Sequence, residues 1–303
     1  MTKLANIAKN KKFFGTLCGI GAAVCYGTNP LGALNLYAQG MNTNSVLFYR
    51  FGIAWVIIGM ILLARKEQVR VSRKEFGVVT LLGLMFFISS LTLYSSFHHM
   101  AAGVASTILF VYPVMTAAIM AVFFHERVTW HVVSSIALSL VGVLLLYWTG
   151  STGKLSTVGV ILVLASALSY ALYIIIVDRS ELHLSSFQIN FYVLFYCAAG
   201  MLVYSLVAHQ PLMFPQNATS WFYIGWLALV PAILALVMMV YAAKYIGSTA
   251  TAIIGALEPL TAVLIGTFVF AEPFTPRMAV GIVLILSAVV LISCKKNEIK
   301  ETK

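Results

Sequence analysis

A chain of 303 residues that is 61% hydrophobic and only 9% charged cannot clothe a water-facing surface, for which soluble domains use about 25% charged residues. That composition excludes an ordinary soluble enzyme or binding module and points to a chain solvated by lipid. The formal net charge of +10 raises nucleic acid as a partner, but the placement of the charges, below, argues against it.

A hydrocarbon core about 30 Å thick takes roughly 20 apolar residues to cross as a helix. In chain order, ten stretches meet that need: 13–36, 44–64, 76–97, 103–124, 130–148, 158–177, 187–208, 221–243, 249–270 and 277–294. The first opens with "KNKKFFGTLCGIGAAVCYG", the basic and apolar start of a signal peptide. Its apolar character runs on towards Leu36 without a small-x-small cleavage site, so a retained helix is expected. It carries Tyr26, Thr28 and Asn29 beside Pro30. The second span holds Arg50, roughly 9–10 Å from its outer end. The third ends in Tyr94, Ser95 and Ser96. His98 and His99 follow in a short outer joint and read as interfacial ring anchors. Tyr112 and Pro113 lie in the fourth span. "HERVTWH" (125–131) beyond it lacks zincin spacing, and no metal site is expected. The sixth span carries Tyr170 and Tyr173, the eighth Pro231, and the ninth Glu258 and Pro259.

With the N-terminus inside, sixteen of the nineteen Lys and Arg fall in inner segments, Lys154 and Arg277 fall outside, and Arg50 lies within a span. This is the positive-inside bias, and it puts both termini in the cytoplasm. The basic balance therefore reports orientation and lipid headgroups as partners, with no nucleic acid. The four cysteines all lie in or at the end of spans and suggest no disulfide framework. No nucleotide-binding loop or cofactor motif is present, so no cofactor is expected.

Sliding the chain by 146 residues lays "ILFVYPVMTAAIMAVFFHERVTWHVVSSIALSLVGVLL" (108–145) over "IGALEPLTAVLIGTFVFAEPFTPRMAVGIVLILSAVVL" (254–291), with eleven positions identical. Pro113 over Pro259, Glu126 over Glu272 and Thr129 over Thr275 are the matches that bilayer composition does not supply. The chain thus divides into a cytoplasmic segment (1–12), a first five-span repeat (13–148), a joint (149–157), a second five-span repeat (158–294) and a basic cytoplasmic tail (295–303). Five is odd, so the second repeat enters the membrane in the opposite sense. The expected fold is an all-α membrane protein of ten transmembrane helices in two inverted five-helix repeats, an architecture used by many secondary transporters.

The ten spans, the duplicated Pro…Glu pattern, the early "CYGTNP" and "FYRFGIA" (48–54) together resemble the drug/metabolite transporter superfamily, specifically a tandem EamA-type transporter. The resemblance implies an exporter or exchanger of small metabolites such as amino acids, nucleosides or vitamins, in a plasma (bacterial inner) membrane, working by alternating access. It also implies that spans one, three, four, six, eight and nine line the central cavity. This chain departs from a perfect duplication. Phe191 or Tyr192 stands where Arg50 would recur, and Tyr112 stands where the first half would match Glu258.

Glu258 is the only acidic residue deep in a span, about 12–14 Å from its start. Placing an acid there costs roughly 2.5–3.5 kcal/mol. It reads as a group that couples movement to protons or binds a substrate ammonium, or else as a carboxyl that ties two helices. Tyr26, Asn29, Tyr94, Tyr112, Tyr170 and Tyr173 are candidate substrate contacts, with interhelical hydrogen bonding as the alternative. Pro30, Pro113, Pro231 and Pro259 are expected hinges or shapers of the cavity, and Arg50 a structural charge. Glu126 and Glu272 read as helix-end caps or interfacial pairs. A passive channel and, further off, a membrane enzyme are the competing functions. The enzyme lacks a convergent set of His, Asp, Ser or Cys at one interface.

Overall fold

The computed structural model describes residues 2–67, 69–124, 130–147, 156–180, 182, 184–255 and 257–301. Among the described residues, thirteen α-helices follow one another: α1 (Thr2–Gly27), α2 (Asn29–Ala38), α3 (Thr43–Ala64), α4 (Arg73–Ser96), α5 (Ala102–Leu109), α6 (Tyr112–Phe123), α7 (Trp130–Tyr147), α8 (Thr157–Arg179), α9 (Ser186–Val207), α10 (Ala218–Leu229), α11 (Ala235–Gly255), α12 (Leu257–Phe270) and α13 (Pro276–Glu301). A π-helical turn over Val230–Leu234 links α10 to α11. No strand occurs among the described residues.

Among the described residues, seven stretches are long and apolar enough to cross a bilayer: Lys11–Ala38, Thr43–Ala64, Arg73–Ser96, Ala102–Phe123, Thr157–Val177, Ser186–Val207 and Ala218–Ala242. Shorter apolar helices run over Val133–Leu145, Leu257–Phe270 and Pro276–Ala288. Each short helix abuts residues that are described incompletely or not at all. α11 is not one straight rod. The open side of Gly19 meets both Ala242 and Ile254; twelve residues of straight helix would separate them by about 18 Å. The chain therefore turns back between them.

Polar side chains open several helices. Asn42 accepts from Ser45 N, Asn217 from Ser220 N, and the pairs Ser72/Glu75 and Ser185/Gln188 form capping boxes. Such caps satisfy the N–H groups that a helix start leaves free. Three of the expected prolines occupy first-turn positions, Pro30 in α2, Pro113 in α6 and Pro231 in the π turn. At Pro30 and Pro113 a proline N was never going to donate a ladder bond, so these two divide their spans, whereas Pro231 lies inside a helical run from Ala218 to Ala242 and its missing N–H goes with the π turn. Pro259 lies in α12; Ala256, just before that helix, is outside the described residues.

The helices of one half pack largely on those of the other. α3 packs on α9, α7 on α13, α5 on α12, α4 on α8, and α1 on α11. Glycine makes the closest of these approaches. A Cβ on Gly103 of α5 would lie 2.7 Å from Val263 Cα of α12, and one on Gly27 would lie 2.7 Å from the Glu258 carbonyl and 2.5 Å from Thr261 Cβ. α12 is thus wedged against α1 and α5, which fixes where Glu258 sits.

Candidate functional site

Glu258 enters the interior from the beginning of α12. It lies deep in the molecule, with protein on every side, yet part of its surface is open to a water-sized probe. Its carboxylate takes part in no hydrogen bond or ion pair among the described residues. Buried polar groups are almost always partnered, so this one is conspicuous.

Three tyrosines lie within electrostatic range of the carboxylate: Tyr26 from α1, Tyr112 from α6 and Tyr170 from α8. Tyr112 meets Tyr170 edge to face, with centroids 4.6 Å apart and an 80° interplanar angle. Tyr173 stacks parallel to Tyr170 at 5.8 Å and 4°. Phe86 of α4 closes against both at 6.1 and 5.5 Å. These four tyrosines are deep and half-buried like Glu258. None of their hydroxyls has a hydrogen-bond partner among the described residues. One carboxylate and four phenols from α1, α6, α8 and α12, helices of both halves, therefore lie close together inside the protein.

Tyr94, Asn29 and Arg50 are placed differently. Tyr94 is only 2% exposed, and its hydroxyl donates to Asn29 Oδ1 at 3.0 Å. Arg50 Nη1 donates to the same hydroxyl. The guanidinium lies 5.5 Å from the Phe51 ring centroid and 5.4 Å from that of Tyr94, and the residue is 7% exposed. Its charge reaches Tyr26. Tyr94 thus joins α4 to α2 and α3 inside the protein. Asn29 also donates from Nδ2 to the Tyr26 carbonyl at 2.8 Å, and Thr28 Oγ1 donates to the Cys25 carbonyl at 2.7 Å. These two side chains serve backbone oxygens at the division between α1 and α2. Trp226, which sequence reasoning did not single out, donates from Nε1 to Thr28 Oγ1 at 3.2 Å.

Two further partnerships went unnoticed in the sequence. Ser89 of α4 and Ser166 of α8 are buried with hydroxyl oxygens 3.0 Å apart, and Ser166 donates to the Ser89 carbonyl at 2.7 Å. Glu272 caps the other half: its carboxylate accepts from Ala102 N at 2.7 Å and Gly103 N at 3.3 Å, at the start of α5, whose own first residues supply no side-chain cap. Ala271 takes a left-handed φ of 52°, and Glu272 N donates to the Gly266 carbonyl at 2.9 Å, which folds the chain back so that the carboxylate reaches α5. The matching Glu126 and Thr129 lie outside the described residues.

At the joint between α4 and α5 the His98 ring stacks on Tyr37, 4.2 Å apart and inclined by 25°, with Nε2 3.0 Å from Thr43 Oγ1. Burial, with a contribution from His99, lowers the His98 pKa below its ordinary value. A separate groove of about 530 Å³ opens between α3 and α9, lined by Phe48, Tyr49, Trp55, Phe195 and Leu202 among others. It is almost wholly apolar and offers a ligand no charge, so it suits lipid chains rather than chemistry. Among the described residues, no group of three or more His, Cys, Asp or Glu could hold a metal ion.

The profile of the EamA-like transporter family matches the chain twice, over residues 13–148 and 157–294. An uncharacterized transporter of Archaeoglobus fulgidus is 27% identical over 272 residues, 89% of this chain and 94% of its own. The uncharacterized transporter YcbK of Bacillus subtilis is 20% identical over 269 residues, 85% of this chain and 86% of its own. One solved crystal structure shares the fold with a TM-score of 0.68 at 17% identity, over 94% of this chain and 98% of its own. Two profile matches laid end to end, on a chain with several bilayer-length helices, make this multi-pass membrane protein a member of the EamA-like transporter family.

Proposed function

We propose that the protein is a secondary transporter of small organic metabolites, an exporter or exchanger that works by alternating access. The observation that carries this reading is the cluster of Glu258 and four tyrosine hydroxyls from both halves, none of which has a hydrogen-bond partner among the described residues. A resting core would satisfy such groups; a solute site leaves them for the solute.

The helix pairing supports an inverted repeat. Counting ten spans, α3·α9, α5·α12 and α7·α13 each join a span to its counterpart, while α4·α8 and α1·α11 exchange with each other under the same two-fold relation. Two like halves of opposite sense can swap conformations, so one site faces each side in turn. The charge bias supports cytoplasmic termini in a plasma (bacterial inner) membrane. Glu258 is the group through which protons would couple to movement. Glu258→Gln is expected to abolish pH-dependent uptake in proteoliposomes; full uptake with an unchanged pH dependence contradicts that coupling.

The reading is tested by counterflow. Vesicles preloaded with an unlabelled solute and diluted into the labelled one are expected to accumulate label transiently. A passive channel shows no such trans-stimulation. The solutes are the amino acids, nucleosides and vitamins that raise the melting temperature of the purified protein.

A further inference from the structure

We propose that this site binds its solute through a protonated amine, with the Glu258 carboxylate as counter-ion and the Tyr26, Tyr112 and Tyr170 side chains around the head group. The inference rests on the transport reading for its physiological setting, but its physical grounds are separate.

The first ground is the charge of the site. Glu258 has no cationic partner among the described residues. The nearest deep cation, Arg50, acts on Tyr26 but is not felt at Glu258, and it is already engaged by the Tyr94 hydroxyl and by two rings. A carboxyl in a site of low dielectric with no cation beside it gains most from a cationic solute. An anionic solute would meet like-charge repulsion there, and a neutral one would leave the carboxylate unpaired.

The second ground is the wall. Aromatic rings attract a cation through their quadrupole, and they do so best when water is excluded. The edge-to-face contact of Tyr112 with Tyr170, at 4.6 Å, and the stack of Tyr170 on Tyr173 fix the rings in place before any solute arrives. Rings held in this way lose little freedom on binding. Free phenol oxygens can accept hydrogen bonds from an N⁺–H group. A bare metal ion is a poorer fit, since a hard cation asks for six or more oxygen ligands and one carboxylate among rings does not supply them.

The third ground is the packing behind the acid. Gly27 of α1 lies against the Glu258 carbonyl and Thr261 of α12, so the backbone that carries the acid has a fixed address.

The test uses three probes that share one phenyl body: 2-phenylethylamine, 2-phenylethanol and 3-phenylpropionate. Their binding to the purified full-length protein is measured by titration calorimetry. The amine is expected to bind at least about tenfold more tightly than the alcohol or the acid. In Glu258→Gln the preference is expected to vanish, with the melting temperature kept; in Tyr170→Leu amine binding is expected to weaken while the alcohol is unaffected. Equal binding of the alcohol or the acid, absence of amine binding, or an amine preference that survives in Glu258→Gln overturns the proposal. The wild-type comparison decides even if a variant fails to fold. Amine binding without counterflow of any solute would sink the transport reading and leave the amine site standing. Counterflow of anions or neutral solutes without amine binding would do the reverse.

Discussion

Tyr94 illustrates how one side chain can look like a solute contact and be something else. Its hydroxyl is shared by Arg50 and Asn29, and its carbonyl accepts from the Tyr37 hydroxyl at 3.1 Å. Tyr94→Phe leaves a buried guanidinium and a buried amide oxygen each short of a partner, at a cost of about 1–3 kcal/mol. We expect a melting temperature lower by several degrees in detergent, with amine affinity nearly unchanged; a large loss of affinity at constant stability would return Tyr94 to the solute. Its residue type and its nearness to the end of a span were legible in the sequence. Which way it turns was not, because that depends on α2 and α3 meeting α4 across more than forty residues of chain. Glu258 was legible for the opposite reason: an acid in an apolar run is conspicuous without any partner. His98 gives a pH prediction. With its folded-state pKa lowered from 6.5 by burial and by His99, the neutral ring is the one that fits against Tyr37 and Thr43. The unfolded chain binds the proton more readily, so this stability is complete above pH 6.5 and is lost as the pH falls through the folded value. Melting curves at about pH 8 and about pH 5.5 are expected to show an acid loss that His98→Asn reduces.

At the scale of elements, Glu272 is a cross-half helix cap. A Cβ on Gly266 would lie 2.1 Å from the Glu272 carboxylate oxygen, so Gly266→Ala and Glu272→Ala disturb one and the same contact. Each is expected to cost about 0.5–2 kcal/mol, and the double variant about as much as either alone, because the two act on a shared interaction. Full additivity in thermal unfolding would mean that the cap is not what the glycine protects. Gly27→Leu is expected to be severe, by about 1–3 kcal/mol or more, since the new side chain would meet Thr261 Cβ and the Glu258 carbonyl rather than a flexible tip. The sequence showed the Pro…Glu…Thr pattern and read its glutamates as helix-end caps or pairs. It did not show that the capped helix lies in the other half, since a repeat aligned with itself says nothing of how the copies meet. The prolines were legible as breaks; their first-turn positions depend on neighbours such as Thr28 and Asn29 that serve the backbone oxygens.

For the whole molecule, the proposed transport requires that one site between two similar halves be reached from one side of the membrane at a time. The spans were largely legible, because a bilayer demands long apolar runs and the charged joints between them are short. The site was only half legible. Glu258 and the tyrosines could be named, but the convergence of α1, α6, α8 and α12 at one place is a property of packing. Counterflow in proteoliposomes tests that requirement most directly. With a solute that raises the melting temperature loaded inside and its labelled form outside, the account predicts label rising transiently above its equilibrium level, with the overshoot lost in Glu258→Gln. Label that approaches equilibrium monotonically, at a rate indifferent to the solute on the far side, would contradict it.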